Sequence, residues 1–304
     1  MIQHVTHLGI NKRKWDAVIK NAVNPIPYAL SWYLDAVSPD WDALILNDYE
    51  AVMPLTQNKK ARIKYLYQPF FTQQLGVFSK EKFGQDLVIR FLQSIPEEFK
   101  FIDIYLNHAN ALQHHGKAIS NRTTYTLPLH KSAEEIQRGF HTNVKRSLSK
   151  AAKTGLVISV DKDAGAMMKF FRHHHGKQVP ELKPVNYKTM QQMMEAAVQR
   201  KAGLCWWAVG AEQNRLSAVF TLQAAGRVIA LVSANDEKAR NVGAMTFLLN
   251  HIITHFAGQD LIFDFEGSNI PGIAKFNASF GAKPETYFHL RRNLLPWFIK
   301  WIKN

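Results

Sequence analysis

Cysteine is almost missing from this chain: Cys205 is the only one in 304 residues. A single thiol closes no internal disulfide and supplies no thiolate cluster for a metal, so a reducing interior is the expected compartment. Long apolar runs are missing too. No stretch of about 18 residues is uncharged and apolar enough to span a bilayer, and the opening MIQHVTHLGINKRKW holds no leader-like apolar block. The expectation is a cytoplasmic protein. The G-x-S-x-G pattern of a serine nucleophile and the full phosphate-binding P-loop are absent, which argues against serine hydrolysis and NTP hydrolysis. Negative charge is in short supply: 24 acidic residues face 38 basic ones.

The resulting net charge of +14 implies an anionic partner, whether nucleic acid, a phosphorylated small molecule or an acidic membrane surface. A merely basic soluble enzyme is the plainer alternative. Hydrophobic residues make up 46% and aromatics 12%, enough to bury substantial cores in a globular protein of roughly two domains.

Periodicity gives two halves with one plan. In the first, the spacing predicts an edge strand in 1–8, helices over 11–21 and 28–37, and a hairpin of 41–46 with 50–55 around Asn47-Asp48. Segments 62–71 and 72–78 read as β, with Gln68, Gln73 and Gln74 among aromatics. A helix from Ser79 to Gln93 and strands over 101–106 and 122–129 complete it. The second half offers a hairpin of 204–210 with 216–223 through Gln213-Asn214, a third strand over 227–235 and a helix over 237–257. A short strand, Ile262-Phe263-Asp264-Phe265, echoes Phe101-Ile102-Asp103-Ile104. A short helix from Pro271 ends near Gly281, and 286–290 is a last strand. The fold class is α/β with mixed sheets, divided into domains 1–131 and 132–291, with the tail 292–304 joining the first.

Between the halves the pattern predicts one charged helix over 132–153. Ile136, Phe140, Val144, Leu148 and Ala151 face a core, and Lys145, Arg146, Ser149, Lys150 and Lys153 lie opposite. Such a row of cations can track phosphates, of nucleic acid or a smaller anion; a solvated helix face gives the same pattern. Around KARNVGAM (238–245), Arg240, Asn241, Gly243 and Ala244 open a helix whose free N–H groups create an anion site. The run partly fits the Arg/Gln-x-x-Gly-x-Gly/Ala loop by which GNAT acyltransferases hold the pyrophosphate of acetyl-CoA. Met245 stands at the third key position. An ordinary helix start is the competing reading.

Asp264 and Glu266 are the acid/base candidates, since alternate residues of a strand share a face and a carboxylate at a strand tip can take a proton from an amine. The alternative for Asp264 is a turn cap or a partner for a buried cation. Tyr287 could protonate a leaving group or simply pack. The run His173-His174-His175 cannot close on one ion, because helical neighbours diverge, and His114-His115 sits in a polar loop; no metal is expected. The tail carries Trp297, Phe298 and Trp301 with Lys300 and Lys303, and either lies at an acidic bilayer interface or folds back to pack.

Taken together, the two-fold plan, the segment Ala151-Ala152-Lys153-Thr154-Gly155 closing the basic helix and the run from Phe263 to Gly281 resemble the Fem-type (FemABX-like) branch of the GNAT superfamily. That resemblance implies tandem GNAT-like domains, each a central, mostly antiparallel mixed sheet flanked by helices. It also implies peptidyltransferase-like chemistry, moving an amino acid from aminoacyl-tRNA to the amine of a wall precursor. Members of that branch carry Phe-Lys in the helix after the fifth strand; here the pair is Phe276-Asn277, with Lys275 one residue away. Their Arg-Gly-Pro is also missing, the place reading Tyr67-Gln68-Pro69. The expected function is acyl or aminoacyl transfer from acyl-CoA, acetyl-CoA included, or aminoacyl-tRNA, with no tightly bound cofactor. The acyl group would pass to an amine on an anionic acceptor, possible cell-wall or polysaccharide precursors among them. The donor would lie near Ser233, Asn235, Ser268 and Asn269, the acceptor near Gln68, Gln73 and Gln74, and backbone N–H groups would stabilise the oxyanion. A non-catalytic binder of RNA or of an anionic precursor is the reading from another class, motivated by Asn277 and Met245.

Overall fold

The computed structural model describes residues 1–112, 118–176, 182–267 and 269–296. Its contacts divide the chain into two units. One comprises 1–122 with 286–304, the other 123–285. The chain passes from one to the other within two strands, after Arg122 and after Glu285.

Unit 1 begins with β1 (Ile2–Val5) and α1 (Lys12–Asn21), whose N-cap Asn11 accepts from the Lys14 N–H. After α2 (Ser31–Val37) comes the hairpin β2 (Asp42–Leu46)/β3 (Ala51–Leu55), turning through Asn47 in the left-handed region that Asn tolerates. Then follow β4 (Gln57–Lys60), β5 (Ile63–Tyr67), the two-residue β6 (Phe78–Ser79), α3 (Gln85–Gln93) and β7 (Phe99–Leu106). Strands β1, β2, β3 and β6 form one sheet in that order, while β5 runs parallel to β7. The core gathers Leu44, Met53, Phe91, Phe99 and Ile102. Two expectations fail here. Of segment 72–78 only Phe78 lies in a strand; 72–77 is irregular chain tied down by buried amides, with Leu75 in an isolated bridge to Leu106, and the helix foreseen from Ser79 starts only at Gln85, because Ser79 pairs with Ala51 in the sheet.

β8 (Ile119–Pro128) carries the chain into unit 2. The one charged helix expected there is two: α4 (Ala133–Arg138), started by a capping box between Ser132 and Glu135, and α5 (Thr142–Ala151). Gly139 ends the first, and the His141 N–H bonds instead to the Ser279 carbonyl, so a tertiary contact overrides the continuous apolar pattern. β9 (Val157–Asp161), α6 (Ala164–His174) and α7 (Pro184–Gln199) precede the meander β10 (Gly203–Val209), β11 (Arg215–Ala224) and β12 (Arg227–Asn235). The helix expected over 237–257 is likewise divided, into α8 (Ala239–Val242) and α9 (Ala244–Phe256), by Gly243 at φ +71°. β13 (Ile262–Asp264), α10 (Pro271–Ala278) and β14 (Lys283–Asn293) close the unit, the last strand returning to unit 1 at Thr286.

Within unit 2 the strand order is β8-β13-β12-β11-β10-β9, antiparallel except for β12 and β13. β10, β11 and β12 are covered on both faces, which is why they read as nearly continuous apolar runs. Adjacent tryptophans show the alternation: Trp206 meets Phe256 of α9, and Trp207 meets Phe170 of α6. Among the described residues no helix is long and apolar enough to cross a membrane.

Candidate functional site

The site begins where two parallel strands part. β13 pairs with β12 over only three positions, ending with Ile229 beside Asp264. Beyond that point the chain after β13 stays with β8, the Phe265 N–H bonding to the Tyr125 carbonyl, while β12 continues to Asn235. Asn235 itself is held by a 2.6 Å hydrogen bond from the Ser217 hydroxyl. One register position is skipped in β12, at Leu231, where the ladder with β11 shifts. Among the described residues the outer backbone edge of β12 from about Ala230 onward therefore has no strand beside it on the β13 side, and a groove opens there.

Two adjoining cavities make up this groove. The first, of about 300 Å³, is lined by His174, His175, Ser233, Asn235, Phe265 and Asn277, with Met245, Ile273 and Phe276 as its apolar walls. The second, about 410 Å³, is lined by Ser147, Arg240, Gly243 and Thr246. They share Asn235, Met245 and Phe276. Gly243 bounds the second and starts α9 with no side-chain cap, so the Ala244, Met245 and Thr246 N–H groups lack intrahelical partners. Glycine is required there by its left-handed φ and by α5: a Cβ would lie 2.6 Å from the Ser147 hydroxyl oxygen and 3.1 Å from its carbonyl oxygen. Arg240 is exposed one turn earlier. An arginine beside an uncapped helix start suits a phosphate-bearing ligand.

The expected donor residues Ser233, Asn235, Arg240, Gly243 and Asn277 thus come together. Asn277 is buried and donates to the Glu266 carbonyl at 3.3 Å, an architectural bond that fixes α10 against the end of β13. Ala244 is fully buried in the core behind the helix start; Asn241, Asn269 and Lys275 are exposed and line neither cavity. Ser268, His114, His115 and the tail from 297 lie outside the described residues.

Asp264 lines neither cavity. Its carboxylate accepts from the Thr124 hydroxyl at 2.8 Å, the Glu266 N–H at 3.0 Å and Arg227 at 3.2 Å. Arg227 also reaches Glu285 at 3.3 Å. Burial pushes the Asp264 carboxyl above the usual carboxylate range, against the opposing pull of Arg227 and the Thr124 hydroxyl, with Glu285 adding to the rise. Nor do Asp264 and Glu266 share a strand face: β13 stops at Asp264, and Glu266 sits at φ +48° beyond it. Tyr287 belongs to unit 1, where it is buried and edge-on to Tyr105. Gln68, Gln73 and Gln74 belong to unit 1 as well. Gln68 accepts from the Tyr105 N–H and donates to the Thr72 carbonyl, and Gln74 bonds to Gln73 and to the His108 N–H. Lys145, Arg146, Lys150 and Lys153 are exposed, and Lys145 donates to the Arg138 carbonyl at the end of α4.

Sequence reasoning missed His174 and His175 as groove residues, since it weighed the histidine run only against metal binding. Asp163, whose side chain accepts from the Ala166 N–H, followed by Met167, Phe170, Phe171 and His174 at helical spacing, is the signal that could have found α6 and its end. Among the described residues no cluster of His, Cys, Asp and Glu is placed to hold a metal.

Comparison with known proteins agrees with this geometry. Residues 138–271 match the family described as acetyltransferase (GNAT) domain. The fold is similar to that of FemX, with a TM-score of 0.69 at 12% identity, covering 95% of this chain and 97% of that one. It is also similar to L-PGS from Bacillus licheniformis, with a TM-score of 0.55 at 10% identity, over 95% and 94% of the chains. A third likeness is to the C-terminal domain of a candidate lysylphosphatidylglycerol synthetase from Agrobacterium fabrum, at 0.56 and 11%, over 95% and 93%. At these identities the likeness is one of fold. A comparison with curated proteins finds no match to the sequence.

Proposed function

We propose that the protein transfers an activated acyl group from a phosphate-bearing carrier to an amine. The observation that carries this reading is the joined groove: an uncapped helix start with Arg240 at one end, and the parting of β12 and β13 at the other. Carrier phosphates would lie against Arg240 and the Ala244–Thr246 N–H groups. The acyl carbonyl would lie along the unpaired edge of β12 near Ser233, where backbone N–H groups meet the developing oxyanion; such preorganised donors are usually the largest catalytic contribution. Holding the amine against the carbonyl supplies much of the remainder. Phe276, Met245 and Phe265 keep water from an ester or thioester. The carrier is coenzyme A or the aminoacyl end of tRNA; both present phosphates beside an activated carbonyl. The exposed cations of α5 favour a carrier with extended negative charge, and salt dependence of binding separates the two.

The test is a titration of the purified protein with CoA and with charged and uncharged tRNA, followed by transfer assays against amine acceptors. Saturable binding of one carrier, weakened about tenfold or more by Arg240→Ala, is the expected result. Failure of both carriers to bind overturns the reading. Binding without turnover against any amine would instead favour a non-catalytic binder on the same fold.

A further inference from the structure

An amine that attacks a carbonyl carries a proton it must lose, and the groove's carboxylates are not placed to take it. Asp264 is committed to Thr124, Arg227 and the Glu266 N–H, and Glu266 does not line the cavity. The titratable groups that do line the 300 Å³ cavity are His174, the last residue of α6, and His175 after it. Among the described residues neither ring makes a hydrogen bond to protein, so their nitrogens remain available to a ligand.

The two rings differ in what surrounds them. His174 meets Phe170 at 4.4 Å with the rings tilted by 48° and His173 edge-on at 4.6 Å, which fixes its plane. Burial and His173 hold it below the ordinary imidazole range, while Asp236 and Glu237, on the turn after β12, pull the other way. It is therefore neutral near pH 7, as a base must be, and carboxylates stand by to stabilise the imidazolium once a proton arrives. His175, against Phe171, is lowered by burial alone and has no such counter-charge.

We infer that His174 is the catalytic base, accepting the proton of the attacking amine at the β12 edge. The inference rests on the transfer reading above and deepens it. The amine nitrogen bonds to the donor's carbonyl carbon, and one N–H proton passes to a ring nitrogen of His174. The bond from carbon to the carrier's sulfur or oxygen then breaks. The proton leaves on that thiol or hydroxyl, restoring neutral His174; the products are an amide and the free carrier.

The experiment uses the full chain with acetyl-CoA, or in a parallel arm lysyl-tRNA, as donor and n-butylamine as acceptor probe, read as release of free carrier between about pH 5 and 9. In the wild type, the rate should rise along an acid limb set by an imidazole. His174→Gln should lower it by about 10²–10⁴-fold near pH 7, abolish that limb and regain part of the rate when free imidazole is added, with CoA affinity unchanged. His175→Gln should retain the limb. Should His174→Gln misfold, ring ¹⁵N signals of the unmutated protein serve instead: the His174 resonances should shift when butylamine is added to the CoA complex. Transfer by the wild type with a retained limb in His174→Gln, or no shift, overturns the role of His174 alone. A wild type that moves no acyl group from either donor overturns the transfer reading, and this inference with it.

Discussion

Arg227 offers the sharpest test of how the site is built. It is the first residue of β12, whose far end forms the groove, and its guanidinium is the cation shared by Asp264 and Glu285. Its side chain is 4% exposed and that of Asp264 3%. Arg227→Met keeps much of the side-chain stem but leaves a buried carboxylate facing another with no cation between them. Removing one partner of a buried pair costs about 3–5 kcal/mol. For a unit of this size each kcal/mol lowers Tm by roughly 2–4 °C, so a fall of roughly 6–20 °C is expected. The pH dependence has a fixed sign. Without Arg227 the Asp264 carboxyl is pushed further up by burial and by Glu285, so the folded form holds a proton that the unfolded chain, with an ordinary pKa near ~3.9, releases. The variant's deficit should then be smallest near about pH 4 and grow toward pH 8. Adding Asp264→Asn, whose amide oxygen can still accept from Thr124 and the Glu266 N–H, should recover more than half of the loss. Calorimetry and urea unfolding across that pH range measure all three. A loss under about 1 kcal/mol at pH 7, or a deficit that shrinks as pH rises, would refute the reasoning.

Other expected outcomes follow from the same contacts. Gly243→Ala should cost about 2 kcal/mol and weaken carrier binding, since its φ of +71° and the Ser147 backbone leave no room for a Cβ; calorimetry with a CoA or tRNA titration checks both effects. Gly267→Ala should be harsher, because its Cβ would overlap the Thr123 carbonyl oxygen and the Thr124 Cα, rigid backbone that cannot swing aside; the expected loss is about 3 kcal/mol or more, read by urea unfolding. Cys205, with burial as the leading cause pushing its thiol up to about 12, should not react with a disulfide reagent in the native protein and should titrate fully once unfolded. Arg215, stacked 3.7 Å over Trp207 and paired with Asp161, is partly exposed, so Arg215→Ala should cost only about 0.5–1 kcal/mol.

Much of the fold was legible along the chain. The hairpins β2–β3 and β10–β11 announced themselves by apolar runs around Asn-containing turns, and β12 runs over the residues 227–235 expected of it. Local chemistry decides such elements. Where the backbone turns aside for a tertiary contact or a left-handed residue, periodicity misleads: α5 separates from α4 because the His141 N–H finds Ser279, and α9 separates from α8 because Gly243 takes a φ of +71°. The region 157–199, holding β9, α6 and α7, was assigned no elements, and its histidine run was weighed only as a metal site, so the two groove histidines were missed.

The site divides the same way. The sequence alone pointed to an anion-binding helix opening within 238–245 and to the polar end of β12, because each depends on residue type and near-neighbour spacing. Whether a carboxylate at a strand tip faces a ligand or a cation depends on what packs behind it. Arg227 and Thr124 meet Asp264 only in three dimensions and draw it inward, while α6 brings His174 from some 90 residues earlier in the chain to the groove where α10 ends. Burial and charge pairing act through space, so that choice belonged to the tertiary structure.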